Sequence, residues 1–197
     1  MRYIGDISRR DSELLCRYAK SSERILEFGS GASTQVLARC SARSATIVSI
    51  ETDARWMERT RRNLALLGID RPVSFIPFRH WRDRVASSDP FDLIFDDGID
   101  RRRRRFAEEA WPLLRIGGHL LFHDTRRRKD MKNVLELVGR YFLEIDSIQL
   151  NEASSNITVL KKKVAEPWED WNIVEGRQRW EYGHAEAPEG LWEDESS

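Results

Sequence analysis

The chain has 197 residues, room for one domain and a short appendage, with 40 % apolar residues for a core and 34 % charged residues for an ionic surface. Thirty-three basic residues balance 33 acidic ones, which argues against a dedicated nucleic-acid binder with its basic excess. No apolar run of about 18 residues or more and no signal peptide are seen, so a soluble, cytoplasmic protein without a membrane span is expected. Cys16 and Cys40 each fall in a helical pattern and read as buried free thiols rather than a disulfide framework.

Residues 6 to 20 read as an amphipathic lead-in helix, with Ile7, Leu14, Leu15 and Tyr18 at its apolar positions. Ile25, Leu26 and Phe28 then form the apolar run of a buried parallel strand. It breaks at Gly29-Ser30-Gly31, and a helical pattern restarts at Gln35, Val36 and Leu37 and runs to about Cys40. A second strand, Thr46 to Ile50, ends in the acid Glu51. Strand, glycine turn, helix, strand and acid make half of a nucleotide-binding α/β sheet. Gly29 and Gly31 let the backbone turn tightly and approach a ligand, and the following helix aims free N–H groups at it. Glu51, at a strand's carboxyl end, is placed to accept hydrogen bonds from two ribose hydroxyls. The dinucleotide fingerprint asks for a third glycine where Thr34 stands, and Glu27 would put negative charge near a pyrophosphate. Glu27 suits instead a ligand carrying an ammonium and a sulfonium, which favours S-adenosylmethionine over NAD.

Asp53 reads as the N-cap of a third helix, with Trp56, Met57, Leu64 and Leu67 on one side and Gly68 as its stop. Val73 to Phe78 is a short strand, and Arg79-His80-Trp81 a loop where Trp81 reads either as a ring stacked on a bound adenine or, more commonly for a loop tryptophan, as simple packing. Phe91 to Phe95 is the next strand, ending in Asp96-Asp97-Gly98, where open parallel sheets bind ligands. Asp100 precedes five arginines, Arg101 to Arg105, opposed to the dipole of the helix they start. They read either as a site for an anionic acceptor or nucleic acid, or as a solvated face neutralised at i,i+4 spacing by Glu108 and Glu109, which is preferred. Phe106, Ala110, Leu113 and Leu114 continue that helix, and Gly117-Gly118 turns the chain into the strand His119 to Phe122. That strand ends in His123-Asp124-Thr125. A helix from about Met131 to Tyr141 leads to strands near Phe142 to Ile148 and Asn156 to Leu160. The turn Asn151-Glu152-Ala153-Ser154 makes these an antiparallel hairpin. From residue 164 the chain is acidic and holds four of the seven tryptophans, Trp168, Trp171, Trp180 and Trp192. Part of this segment is expected to pack on the sheet domain or on a second subunit, as in a homodimer.

Glu27-Phe28-Gly29-Ser30-Gly31 with Glu51 resembles the first motif and ribose-holding acid of the class I S-adenosylmethionine-dependent methyltransferases, over about Ile25 to Lys163. Asp97-Gly98 and His123-Asp124-Thr125 are similar to motifs of a small O-methyltransferase-like subgroup. The resemblance implies a Rossmann-like, seven-stranded, mostly parallel sheet with one antiparallel strand and helices on both faces. That domain would span residues 1–163, with residues 164–197 as an extension. It implies S-adenosylmethionine held by Glu27, Gly29, Ser30, Gly31, Thr34, Glu51, Trp81 and Asp96, and a small-molecule hydroxyl as acceptor, with an anionic acceptor as one option. Asp97, His123 and Asp124 would be catalytic. In one mechanism Asp97 and Asp124 ligate a Mg²⁺ that lowers the acceptor's pKa; in the other His123 or Asp97 acts directly as general base. Members often read D-G-D-H, where this chain has Ile99 and Asp100 in the last two places, and Ile99 cannot ligate. The alternatives are a nucleic-acid methyltransferase, for which an N-P-P-Y type motif is missing, and a cofactor-binding module without catalysis.

Overall fold

The computed structural model describes residues 3–85, 88–99 and 102–165. Helix α1 (Arg9–Lys20) starts later than expected because Ser8 caps it: the hydroxyl accepts from the Asp11 N–H at 3.1 Å and donates to Asp11 Oδ2 at 2.6 Å. Five strands follow in parallel: β1 (Arg24–Phe28), β2 (Thr46–Glu51), β3 (Val73–Pro77), β4 (Phe91–Asp96) and β5 (Leu114–Phe122). The last two are β6 (Ile145–Gln149) and β7 (Thr158–Lys162), and β7 lies antiparallel to both β5 and β6. The seven strands form one sheet in the order β3-β2-β1-β4-β5-β7-β6, so the expected architecture, with its single antiparallel strand, is the observed one.

Helices cover both faces because the central strands are apolar on both. Ile25, Ile47, Leu93 and Phe95 pack with residues of α1, α2 (Ala32–Cys40) and α3 (Ala54–Leu66). Leu26, Phe28, Ile50 and Ile94 pack with residues of α4 (Trp81–Val85), α5 (Arg103–Ala110) and α6 (Arg128–Tyr141). β1 and β4 are therefore buried along almost their whole length, as a doubly covered parallel strand must be. Asp53 caps α3 as expected, accepting from the N–H groups of Arg55 and Trp56, and Gly68 follows its end at φ +65°.

Two expectations are corrected here. Cys16 and Cys40 are not free: α1 packs along α2, and the two form a disulfide with Cα atoms 5.2 Å apart. In the sequence they are unrelated helical positions, and only that packing brings them together. Gly117 and Gly118 do not precede the fifth strand but lie within it. A Cβ on Gly118 would meet Leu114 Cδ1 at 2.9 Å and Asp92 O at 3.0 Å, and the β4–β5 register shifts between Phe91 and Leu93. The tryptophan-rich extension lies, from residue 166 on, outside the described residues, as do Asp100 and Arg101.

Candidate functional site

The register of the sheet assembles the site. Phe28 pairs with Ile50 on one side and Asp96 on the other, and Asp96 pairs with Phe122. One step further along each strand stand Glu51, Gly29, Asp97 and His123, side by side at the carboxyl edge. Backbone bonds fix them there: Gly29 N to Ile50 O at 2.9 Å, Asp97 N to Phe28 O at 2.9 Å and His123 N to Asp96 O at 3.1 Å. Gly29, at φ +87°, lets β1 and the end of β4 close up, since a Cβ there would sit 2.5 Å from the Asp97 carbonyl oxygen.

Glu51 holds the glycine turn. One oxygen accepts from the Ser30 N–H and hydroxyl at 2.9 and 2.8 Å, and the other from the Thr52 and Asp53 N–H groups at 2.6 and 2.9 Å. Glu27 is placed otherwise than expected. It is fully buried, pointing toward α2, and accepts from the hydroxyls of Ser33 (2.5 Å), Thr34 (2.7 Å) and Ser49 (2.6 Å). Burial pushes its pKa up to about 7 against these three bonds, which favour the charge. Thr34, also fully buried, accepts from the Gly31 N–H at 2.9 Å. Glu27 and Thr34 thus brace the turn from behind and show no surface to a ligand.

A cleft of about 280 Å³ opens in front of the turn, lined by Gly29, Ser30, Glu51, Trp56, Phe78, Asp97, Gly98 and Ile99. It shares Glu51, Phe78 and Ile99 with a second hollow that reaches Met57, Arg79 and Arg102. Trp81 is not in it. The Arg79-His80-Trp81 stretch is no open loop: Phe78–His80 form a 3₁₀ turn, and Trp81 opens α4 with its indole 2 % exposed and edge-on to Phe28. The turn of chain into α4 carries this large apolar ring into the core, and Phe78 and Trp56 supply the aromatic surfaces instead. Asp96 is likewise fully buried beneath the edge, where burial raises its pKa well above the ordinary value. A glycine turn, a strand-end acid and apolar walls in one cleft fit S-adenosylmethionine.

Beside the cleft a guanidinium gathers the acids. The Arg103 side chain, 6 % exposed, donates from Nε to Gly98 O at 2.9 Å and from Nη1 to His123 O at 3.1 Å. It also pairs with Asp97 Oδ1 at 2.8 Å, Asp124 Oδ2 at 3.3 Å and Asp130 Oδ1 at 3.4 Å. Asp124 adopts a left-handed conformation, φ +61°, tolerable for aspartate, and accepts from Asn156 Nδ2 at 2.9 Å. His123 faces α1, with Nδ1 3.0 Å from Asp97 Oδ1 and 3.6 Å from Asp124 Oδ1, and Nε2 3.5 Å from Asp11 Oδ2. Burial alone would lower its pKa, but Asp11, Asp97 and Asp124 raise it to about 10. The three acids thus favour the protonated ring and oppose its use as a general base.

One donor atom each from Asp97, His123 and Asp124 lies within 4.8 Å of the others, the spacing of a metal site. A Mg²⁺ does not fit it. The ion requires oxygen ligands at about 2.1 Å in near-octahedral array, whereas one guanidinium nitrogen already bridges Asp97 and Asp124, Arg127 pairs with Asp124 as well, and His123 offers a ring nitrogen and no oxygen.

The arginine run divides. Arg104 lies 3.8 Å from Glu108 and Arg105 pairs with Glu109 at 2.6 Å, the i,i+4 neutralised face preferred from the sequence, while Arg104 also pairs with Glu136 at 2.7 Å and Arg102 lies over the Phe78 ring at 4.7 Å. Arg103 is the exception, turned inward. Asp11, Arg103, Asp130 and Asn156 were not singled out from the sequence. Only the odd placement of cations at a helix start marked Arg103, and nothing marked Asp11, which enters through the packing of α1.

Residues 26–125 match the family described as a methyltransferase domain. Among solved structures, the chain is similar to an O-methyltransferase from Bacillus cereus in complex with SAH, at 18% identity and TM-score 0.66, covering 80% of this chain and 83% of that one. It is similar to the O-methyltransferase TomG from Streptomyces achromogenes, involved in tomaymycin synthesis and in complex with SAM, at 19% identity and TM-score 0.64, covering 80% and 82%. The SAH-bound Podospora anserina methyltransferase PaMTH1 matches at 19% identity and TM-score 0.65, covering 80% of both chains. At these identities the likeness is one of fold. Among curated proteins, a stretch of 61 residues is 34% identical to a component of eukaryotic translation initiation factor 3 from Yarrowia lipolytica, 31% of this chain and 8% of that protein, too small a share to carry a functional argument. The family match spans just over half of the 197 residues and ends at the site described above, and the chain belongs to the methyltransferase-domain family.

Proposed function

We propose that this protein methylates a hydroxyl of a small molecule with S-adenosylmethionine as donor. The observation that carries the reading is the row Glu51, Gly29, Asp97 at one sheet edge, which puts a strand-end acid, a glycine turn and a part-exposed carboxylate around one cleft. The donor supplies an electrophilic methyl carbon, which the acceptor oxygen takes as the carbon–sulfur bond breaks toward sulfur. The residues supply alignment and a proton acceptor. Glu51 receives the ribose hydroxyls, and Trp56 and Phe78 offer apolar walls. Asp97, its side chain 24 % exposed, orients the acceptor hydroxyl and takes its proton. His123 and Arg103 hold that carboxylate in place from behind, as donors. A small acceptor is favoured over nucleic acid because Arg104 and Arg105 are paired with glutamates of their own layer.

Calorimetric titration with S-adenosylhomocysteine beside NADH tests the reading. Micromolar binding of the former alone, weakened in Asp97→Asn less than in Glu51→Ala, is expected. Failure to bind S-adenosylhomocysteine overturns it.

A further inference from the structure

We propose that Arg103 is the resident cation of the acceptor site, standing where a divalent metal would otherwise bridge Asp97 and Asp124, so that the protein takes no metal there. The inference rests on the methyltransferase reading and adds to it the means by which the acids are held.

The guanidinium sits where three elements meet. It bonds the carbonyl of Gly98 after β4, the carbonyl of His123 after β5, and Asp130 in the first turn of α6, besides Asp97 and Asp124. A planar fork with five N–H groups and a permanent charge can satisfy oxygens spread in this way, which a lysine ammonium cannot. Its own side chain is 6 % exposed, while Asp97 and Asp124 keep 24 % and 22 %. The acids therefore face the acceptor and the cation stays behind them. Arg103 acts through Asp97 and Asp124 as a positioning residue. Together with Arg127, which pairs with Asp124 Oδ2 at 2.5 Å from the outer side, it neutralises two carboxylates that would otherwise repel each other across the site. The run Arg101–Arg105 also acquires a reason. A cation at the start of a helix is unfavourable for the helix dipole, and here that placement brings a charge inward to the strand ends.

The experiment uses the full chain with S-adenosylhomocysteine and Mn²⁺ as the metal probe, read by electron paramagnetic resonance and by the melting temperature. Wild type is expected to take up no Mn²⁺ and to keep its cofactor affinity and melting temperature after dialysis against EDTA. Arg103→Gln/Arg127→Gln, which removes both guanidiniums paired with Asp124, is expected to bind one Mn²⁺, with binding at least tenfold weaker when Asp97→Asn is added. Arg103→Lys is expected to exclude Mn²⁺ as wild type does. Stoichiometric Mn²⁺ binding by wild type that Asp97→Asn abolishes overturns the proposal, and this measurement stands even if the Arg103 variants do not fold. A folded Arg103→Gln/Arg127→Gln that binds no Mn²⁺ also overturns it. Cofactor affinity is read in the same samples, so loss of S-adenosylhomocysteine binding marks failure of the methyltransferase reading separately.

Discussion

Ser30 gives both its backbone N–H and its hydroxyl to one oxygen of Glu51, so the acid expected to hold a ribose already holds the turn that shapes the cleft. Ribose hydroxyls arriving at Glu51 can replace the Ser30 hydroxyl but not the backbone bond. Glu51→Gln must turn an NH₂ group toward N–H donors on one side or the other. Hydrogen bonds to a charged group contribute about 1.5–3 kcal/mol, so the variant should bind S-adenosylhomocysteine roughly 10- to 100-fold more weakly and melt lower. Ser30→Ala removes only the displaceable donor and should leave affinity within about threefold, since a single neutral side-chain bond is worth about 1 kcal/mol. Calorimetry on both variants checks this, and equal affinities for Glu51→Gln and wild type would remove Glu51 from the cofactor site.

Glu27 gives the fold a pH dependence with a defined sign. Its pKa is about 7 in the folded protein against an ordinary 4.5, through burial outweighing the Ser33, Thr34 and Ser49 bonds, with the Asp97 charge adding to the rise. The folded state binds this proton more tightly, so the contribution is present in full below pH 4.5 and is lost as the pH climbs to about 7. The span corresponds to something on the order of 3 kcal/mol. Glu27→Gln has no such proton. The melting temperature of wild type relative to Glu27→Gln should fall between pH 4.5 and 7 and then level off. A constant difference across that range would mean that Glu27 is ionised throughout.

The sheet was legible because β1 and β4 are unbroken apolar runs and the glycine turn punctuates them, and the hairpin because the polar stretch 151–154 leaves no room for a crossover helix. Asp97, Glu51 and the glycines were legible because strand ends are where such sheets bind ligands. Which way a side chain points was not. Glu27, Asp96 and Trp81 all sit near the edge in sequence, and only the strand alternation and helix packing decide that they face inward. Arg103 was hidden among four like neighbours, since composition says nothing of which arginine of five is turned toward the acids. The Cys16–Cys40 pair and Asp11 depend on α1 lying along α2 and β5, a long-range fact that no local pattern encodes.

Two glycines at the edge should fail differently when given a methyl group. At Gly29 the new Cβ meets the Asp97 carbonyl, and φ is +87°, so nothing can yield without pulling β1 from β4. Gly29→Ala should cost more than about 3 kcal/mol or prevent folding, as backbone conflicts of this kind do. At Gly98 the obstacle is the ring of Phe106, which stacks on Phe28 with centroids 4.8 Å apart. Gly98→Ala should therefore be rescued in part by Phe106→Leu, giving a favourable coupling of roughly 1 kcal/mol or more in a double-mutant cycle. Additive losses in denaturant unfolding would show that the ring is not what limits Gly98.

The Cys16–Cys40 bridge ties α1, which brings Asp11 to His123, to α2, which carries the serine and threonine that bond Glu27. Cross-linking residues 24 apart restricts the unfolded chain, and the loop-closure relation puts the effect at about 3 kcal/mol. Reduction, or Cys16→Ser, should lower the unfolding free energy by that order without changing the sheet. Disulfides persist in oxidising surroundings, so the expectation of a reducing cytoplasm gains no support from this pair. Because the bridge lies behind the site, S-adenosylhomocysteine affinity should stay within a fewfold of wild type once the reduced protein is folded. Thiol titration of the denatured, unreduced protein should find no free cysteine, and two titrating thiols would show that the pair is unbridged and remove the basis for the expected loss.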